Sequence, residues 1–171
     1  GSMVYNLEAT IKQLFNLVMF CKKVNIPYEV YTFTSYGPNY AYVQKPLVGD
    51  IVLGNFRLMN VLSSRMTAKE FTDAAAALTA RSKNQWDFAE VFHMSSTPLN
   101  ESIIAAMEIV PHFQKKNNLQ IVNTIFLTDG DADGLHGYIK SCGTKENIRT
   151  WDYYTKSAPR YIIRDPVTKM Q

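Results

Sequence analysis

The segment that most restricts the fold is residues 120–128, Gln-Ile-Val-Asn-Thr-Ile-Phe-Leu-Thr, a nearly continuous apolar run rich in β-branched side chains. Such a run predicts a strand that is buried on both faces, as in the centre of a parallel sheet. Parallel strands are joined by crossover helices, which cover the two faces of the sheet. The sequence therefore predicts a three-layer α/β domain with a mostly parallel central sheet.

Two amphipathic segments in the first half of the chain supply helices. Residues 4–24 place apolar side chains at three- and four-residue spacing, which is the period of a helix with one buried face. The second segment, 68–81, is rich in alanine and follows a capping box formed by Thr67 and Glu70. Both segments predict helices that pack one face on a core.

A third helix is predicted to open at Thr97 and Pro98. Threonine is a preferred N-cap residue, and proline is favoured in the first helical position. The apolar pattern continues to about Lys116, and Pro111 predicts a bend because proline lacks the N–H that an interior position donates.

Strand signals occur between these helices. Residues 28–34 are β-branched and aromatic, which predicts a strand. Two apolar runs, 51–53 and 56–62, flank Gly-Asn and predict a hairpin or an edge pair. A short strand is predicted at 161–164, and residues 86–94 are ambiguous between strand and loop.

Length and composition fit a single domain. The chain has 171 residues, of which 46% are apolar, and a chain of this size can bury a core of its own. We therefore expect one domain over 1–171. No apolar run reaches the roughly 18 residues of a membrane span. Cys21 and Cys142 lack metal-ligand spacing, so we expect free thiols and a cytoplasmic location.

The net charge of +3 is unevenly distributed along the chain. Residues 135–171 carry seven basic and three acidic side chains, with a tryptophan and several tyrosines among them. Interleaved basic and aromatic side chains are typical of surfaces that bind nucleic acid. The same pattern also fits an ordinary solvated surface above a few core aromatics. Nucleic-acid binding by residues 138–164 therefore stays an alternative function.

Two polar segments are expected at one rim of the predicted sheet. Ser-Ser-Thr-Pro-Leu-Asn at 95–100 leads into the third helix, and Thr-Asp-Gly at 128–130 leaves the predicted central strand. In open parallel sheets, ligands bind beyond the carboxyl ends of the strands, so we expect Thr97 and Asp129 to converge there. Their oxygens are hard donors that suit Mg²⁺, Mn²⁺ or Ca²⁺. Taken singly, Thr97 also fits a helix cap and Asp129 an Asx turn.

These two segments carry a resemblance to a known family. Ile-Phe-Leu-Thr-Asp-Gly at 125–130 resembles the last strand motif of von Willebrand factor A domains. Ser-Ser-Thr-Pro-Leu-Asn-Glu at 95–101 is similar to that family's threonine loop, especially in members that resemble cobaltochelatase subunits, some of which are found in bacteriophages. The resemblance covers about residues 1–165. It implies the Rossmann-like fold and, for a phage protein, the cytoplasm of a bacterial host.

The resemblance also implies a metal-ion-dependent adhesion site with Thr97 and Asp129 as ligands. In the family, an Asp-x-Ser-x-Ser motif after the first strand completes this site, and that strand lies at the centre of the sheet. Here the first strand and the leading Asp and Ser are missing, and the sequence opens with Gly1-Ser2-Met3. Ser2 is a metal ligand if these residues are the tail of the motif, and the alternative is a cloning remnant. We expect an upstream chain, a partner or a rearranged strand to fill the gap.

For function, the resemblance implies a protein–protein interaction module and not an enzyme. A magnesium ion, or Mn²⁺ or Ca²⁺, with an open coordination position would accept a carboxylate from the partner. The family makes an AAA+ ATPase of the chelatase type the expected partner. Because few protein oxygens remain in the shortened site, we expect weak cation binding. A non-autonomous subunit of a metal chelatase is an alternative function.

The acidic run at 129–134, Asp-Gly-Asp-Ala-Asp-Gly, matches only the opening of an EF-hand loop. The twelfth position of such a loop needs a bidentate glutamate, and here it is Lys140. A predicted strand also precedes the run where an EF-hand has a helix. We therefore exclude an EF-hand and keep Asp131 and Asp133 as candidates for an accessory acidic loop.

Catalytic motifs are missing from the sequence. No serine or cysteine lies in a nucleophile elbow, and no Walker or Gly-x-Gly-x-x-Gly phosphate loop occurs. His93, His112 and His136 are scattered. The one acid–base grouping, His136 near Asp131 and Asp133, is more typical of a surface loop. We therefore expect no stand-alone enzymatic activity.

Overall fold

The computed structural model of the chain describes residues 6–35, 51–53, 56–83, 96–128, 132, 136–140 and 145–149. These residues mix helices with strands, which confirms the α/β class at this coarse level. In the described part of the chain, no helix is both long and apolar enough to cross a membrane. The elements, in chain order, are α1 (Leu7–Lys23), β1 (Glu29–Thr34), β2 (Ile51–Leu53), β3 (Arg57–Ser63), α2 (Ala68–Lys83), α3 (Leu99–Lys116), β4 (His136–Lys140) and β5 (Lys145–Arg149).

The elements belong to two compact units. The first unit contains the three helices together with β1 and β3, which form an antiparallel pair running from Glu29↔Ser63 to Thr34↔Arg57. The register of this pair shifts after Val30. The second unit contains a three-stranded antiparallel sheet in the order β2-β4-β5.

The strand pairings differ from those that the sequence predicts. Every pairing within the described ranges is antiparallel, so a mostly parallel sheet is not represented among these strands. The hairpin or edge pair predicted between 51–53 and 56–62 is wrong, because β2 pairs with β4 and β3 pairs with β1. Pairing with β1 brings Leu62 into the core with no exposed surface, a burial that an isolated hairpin cannot provide. The segments 86–94 and 161–164 lie outside the described residues.

The apolar segment predicted as the central strand does not form one. Residues 121–128 belong to no helix or strand, and within the described part of the chain they make no backbone hydrogen bond. The side chains of Ile121 and Ile125 are 77% and 61% exposed. A strand that is apolar on both faces needs neighbours to bond its edges and cover its faces. Those neighbours are not provided by the elements that the structure describes.

The core of the first unit lies between α1, α2 and the β1–β3 pair. The apolar face of α1 supplies half of its buried apolar side chains, as the three- and four-residue spacing predicts. At the outer edge of the contact between the helices, Nζ of Lys22 lies 3.7 Å from the centroid of the Phe71 ring, a cation–π contact. The buried apolar residues are Leu7, Ile11, Val18, Tyr28, Leu62 and Leu78.

The capping box predicted at the start of α2 is confirmed. The backbone N–H of Thr67 donates to Oε2 of Glu70 at 2.8 Å, and the backbone N–H of Glu70 donates to Oγ1 of Thr67 at 3.3 Å. Each side chain therefore satisfies an N–H group that the first turn of a helix leaves without a backbone partner. The helix continues to Lys83, two residues beyond the predicted end.

Helices α1 and α3 end in the same way. The second residue after each helix, Asn25 or Asn118, has a left-handed backbone with φ of 55° or 52°. Asparagine tolerates this conformation better than most residues. The conformation lets the N–H groups of the asparagine and of the residue after it donate to carbonyls of the last turn, as in a Schellman motif. The bonds are Asn25 N to Lys22 O (3.4 Å), Ile26 N to Cys21 O (2.9 Å), Asn118 N to Lys115 O (3.3 Å) and Leu119 N to Gln114 O (3.0 Å).

Candidate functional site

A tight turn holds Thr97 immediately before α3. Pro98 has φ −75° and ψ 62°, and the N–H of Leu99 donates to the carbonyl of Thr97 at 2.7 Å, which together define an inverse γ-turn. Ser96, on the other side of Thr97, has a left-handed backbone with φ 62°. A non-glycine residue in this region is uncommon and carries local strain, which the surrounding structure must hold in place. The backbone around Thr97 is thus fixed on both sides.

The start of α3 lies one residue later than the sequence predicts. The prediction made Thr97 the N-cap and Pro98 the first helical residue, whereas Pro98 occupies the N-cap position and the helix begins at Leu99. The carbonyl of Pro98 accepts two hydrogen bonds from Ser102, one from its N–H at 3.1 Å and one from Oγ at 2.8 Å. The γ-turn is responsible for the difference, because it takes Thr97 out of the helical path.

The first turn of α3 also buries a carboxylic side chain that the sequence analysis did not single out. Glu101 is 1% exposed and its neighbour Ser102 is 4% exposed. Acidic side chains in the first turn are stabilised by the positive end of the helix dipole. Glu101 lies four residues after Thr97. This position in the first turn of the helix is the sequence signal by which Glu101 could have been identified.

On the second predicted segment, Thr128 has a buried hydroxyl. Its Oγ1 is shielded from solvent and has no hydrogen-bond partner among the residues that the structure describes. A buried hydroxyl without a partner costs about 1–3 kcal/mol, and the hydroxyls of Tyr28 and Thr32 are in the same state. Thr128 directly precedes the predicted metal ligand Asp129.

The remaining predicted site residues lie outside the described part of the chain. These residues are Ser2, Asp129, Asp131 and Asp133. The convergence of Thr97 with Asp129 therefore stays a prediction. Across the described residues, no group of three or more His, Cys, Asp or Glu side chains is placed to hold a metal ion. The donors predicted for the site, hydroxyl and carboxylate oxygens, match the preference of a hard divalent cation.

A second polar arrangement is centred on Glu29, the first residue of β1. Its carboxylate accepts hydrogen bonds from the hydroxyl of Tyr31, from Nη2 of Arg65 and, at 3.3 Å, from Nδ2 of Asn60. The side chain of Glu29 is only 13% exposed, so this carboxylate is largely removed from water and fully supplied with donors. We call these four residues the Glu29 network.

The Glu29 network changes the chemistry of Tyr31. Burial, followed by the hydrogen bond to the Glu29 carboxylate, raises the pKa of the Tyr31 hydroxyl above its usual value. The phenol therefore stays protonated and acts as a donor. Glu29 and Tyr31 are two residues apart on one strand and so share a face, a signal that the sequence offers. Asn60 and Arg65 could not be recognised as their partners without the strand pairing.

The histidines and the basic part of the chain do not form a described site. His112 is an exposed residue of α3, while His93 lies outside the described residues. His136 begins β4, and of the basic region 135–171 the structure describes β4 and β5.

Comparison with known proteins adds no relative. No protein-family model matches the chain, and no curated protein or solved structure matches it. The resemblance to von Willebrand factor A domains consequently depends on the threonine loop at 95–101 and the strand ending at 125–130. Any function derived from it is a proposal.

Proposed function

We propose that this chain is a protein–protein interaction domain of the von Willebrand factor A type, in which a divalent cation links the domain to a carboxylate of its partner. Thr97, Asp129 and Ser2 would hold the cation. The proposal includes the finer fold, which is a three-layer Rossmann-like domain with a mostly parallel central sheet. The partner that fits best is an AAA+ ATPase of the chelatase type.

The observation that carries the proposal is the turn around Thr97. Metal sites of this kind need a hydroxyl oxygen held in one direction, and a ligand on a flexible loop would lose affinity through the entropy of ordering it. The γ-turn at Pro98 and the left-handed Ser96 restrict the backbone on both sides of Thr97. Strain of this type concentrates at functional sites, where the surrounding structure maintains it.

The state of residues 121–128 supports the proposed sheet. This segment has β-branched and aromatic side chains, exposed apolar groups and no backbone hydrogen bond in the described part of the chain. These properties fit a strand that gains a neighbour in the proposed sheet. Pairing with that neighbour would also fix Asp129, the residue that follows the segment.

The chemistry of the proposed contact is simple. A magnesium ion prefers six oxygen ligands and keeps several waters when few protein groups bind it. One of those waters can be replaced by a carboxylate of the partner, so that the metal ion bridges the two proteins. The unsatisfied hydroxyl of Thr128 next to Asp129 provides a further oxygen close to the predicted ligand.

Cation binding is tested directly with Mn²⁺, whose electron paramagnetic resonance signal reports the free ion. We expect Thr97→Val and Asp129→Ala each to lower Mn²⁺ affinity by about tenfold or more, as the loss of one ligand from a small set should. The matched controls are Thr72→Val and Asp73→Ala on the exposed side of α2, which should leave affinity unchanged.

Partner binding is tested by pull-down of a purified chelatase-type AAA+ ATPase in Mg²⁺ and in chelator. We expect capture in Mg²⁺, loss of capture in chelator, and loss of capture with Asp129→Ala but not with Asp73→Ala. Capture that neither chelator nor Asp129→Ala changes would remove the metal ion from the mechanism. Absence of capture together with normal Mn²⁺ binding would instead exclude this class of partner.

A further inference from the structure

A groove of about 450 Å³ lies next to the Glu29 network. One wall comes from the β1–β3 pair and the turn after it and consists of Glu29, Tyr31 and Arg65. The other wall is the last part of α3. A volume of this size falls in the range of pockets that hold small organic ligands. Thr97 is not among the described residues that line the groove.

The α3 wall combines charged and apolar side chains. Glu108, His112 and Lys116 recur every four residues and therefore follow one stripe of the helix, while Ile109 and Phe113 form the stripe beside it. The distance from Glu108 to Lys116 is eight residues, or about 12 Å along the helix axis. The basic end of the groove is thus separated from Glu108 at the other end.

The charges in the groove are not equally available. The carboxylate of Glu29 is occupied by three donors of its own network. Arg65 gives one N–H to Glu29, which leaves most of its five N–H donors for another acceptor. Within the described part of the chain, the side chains of His112 and Lys116 form no hydrogen bond or ion pair. Apart from Glu108, the polar groups of the groove that remain available are therefore mainly donors and cations.

We propose that this groove binds a small organic anion, a carboxylate or a phosphate monoester attached to an apolar body. Arg65, His112 and Lys116 bind the anionic group, because guanidinium and ammonium groups form charge-assisted hydrogen bonds with such oxygens. Ile109 and Phe113 contact the apolar body. The proposal does not depend on the metal site.

The test uses phenyl phosphate and benzoate as probes, titrated into the ¹⁵N-labelled chain and followed by NMR. We expect saturable shifts of α3 residues around 108–116, and weaker binding of inorganic phosphate, which lacks the apolar body. Lys116→Gln should weaken phenyl phosphate binding by about tenfold, the effect of one lost charge-assisted hydrogen bond. Lys115→Gln is the matched control, since Lys115 is the neighbouring exposed lysine and does not line the groove.

A second variant separates binding from stability. Arg65→Gln should weaken binding at least as much as Lys116→Gln. Because Arg65→Gln also disturbs the Glu29 network, His112→Ala, on the helix wall, is measured beside it. The proposal is overturned if neither aromatic anion binds saturably up to about 10 mM. It is also overturned if Lys115→Gln and Lys116→Gln weaken binding equally, or if the cation phenylethylammonium binds as well as phenyl phosphate.

Discussion

Arg65, in the turn that follows β3, donates from Nη2 to Oε1 of Glu29 and so joins that turn to the first residue of β1. The side chain of Arg65 is 50% exposed and that of Glu29 is 13% exposed. Solvent screens a pair of this kind in part, so its contribution to stability is modest. It lies at the same end of the two-stranded sheet as the backbone hydrogen bond from Ser64 N–H to the Tyr28 carbonyl.

We expect Arg65→Gln to lower the free energy of unfolding by about 1 kcal/mol, because it removes one charge-assisted hydrogen bond at a half-exposed site. Glu29→Gln should lower the free energy of unfolding by a similar amount. The double variant should lower it by less than the sum of the two single effects. Urea unfolding of the four proteins gives the coupling free energy. Strictly additive effects would show that the two side chains do not interact in solution.

Tyr31 provides a prediction about alkaline pH. Its folded-state pKa is raised above 10.0, first by burial and then by the hydrogen bond to Glu29. A raised pKa means that the stabilisation is fully present below pH 10 and is lost as the pH rises through the folded-state value. Tyr31→Phe should therefore make the loss of stability above pH 10 less steep. Burial also raises the pKa of Tyr28, so part of the loss should remain in this variant.

The measurement for Tyr31 is urea unfolding at several pH values between 9 and about 11, with absorbance at 295 nm to follow phenolate formation. The spectroscopic titration should lose one late-titrating group in Tyr31→Phe. Identical pH profiles for the variant and the parent chain would contradict the assigned environment of Tyr31.

The capping box of α2 gives a prediction about acidic pH. The backbone and side-chain hydrogen bonds from Thr67 lower the pKa of Glu70 below 4.5. A lowered pKa means that the stabilisation is present above pH 4.5 and is lost as the pH falls through the folded-state value. Thr67→Ala should lower the free energy of unfolding by about 1 kcal/mol at neutral pH, which is the usual effect of losing an N-cap.

Thr72→Ala is the control for the capping box, because Thr72 is an exposed threonine inside the same helix. Thermal unfolding by circular dichroism at pH 7 and at about pH 3 distinguishes the two variants. The difference in thermal stability between Thr67→Ala and the parent chain should be smaller at the lower pH, where Glu70 is protonated. A constant difference would mean that the hydrogen bond from the Thr67 hydroxyl to Glu70 does not contribute.

Local signals explain why the helices could be predicted from the sequence. Each helix is encoded by a periodic apolar face and by residues at its ends, such as Thr67 with Glu70, and these signals act within a few positions. The predicted and observed helices consequently agree to within about three residues, the usual uncertainty of such boundaries. The shift at Pro98 has a local cause as well, but a γ-turn has no strong sequence signature.

Strand pairing and the Glu29 network could not be predicted in this way. The partners of Glu29 are 31 and 36 residues away, at Asn60 and Arg65, and they meet it only because β3 pairs with β1. The sequence predicts that β3 pairs with β2, whereas β3 pairs with β1 and Leu62 is fully buried. For 121–128 the apolar pattern predicts a strand, but a strand also requires a neighbour, which local sequence does not specify.

The end of α3 gives the last prediction, because Asn118 fixes the helix terminus beside Lys116. Asn118 has φ 52°, a conformation that costs residues with a Cβ about 1–2 kcal/mol and that asparagine and glycine tolerate best. We expect Asn118→Ala to lower the free energy of unfolding by about 1 kcal/mol and Asn118→Gly to preserve it. Asn123→Ala, at an exposed position without a positive φ, is the control. Equal stability of Asn118→Ala and Asn118→Gly in urea unfolding would contradict the left-handed terminus and, with it, the fixed position of the basic end of the groove.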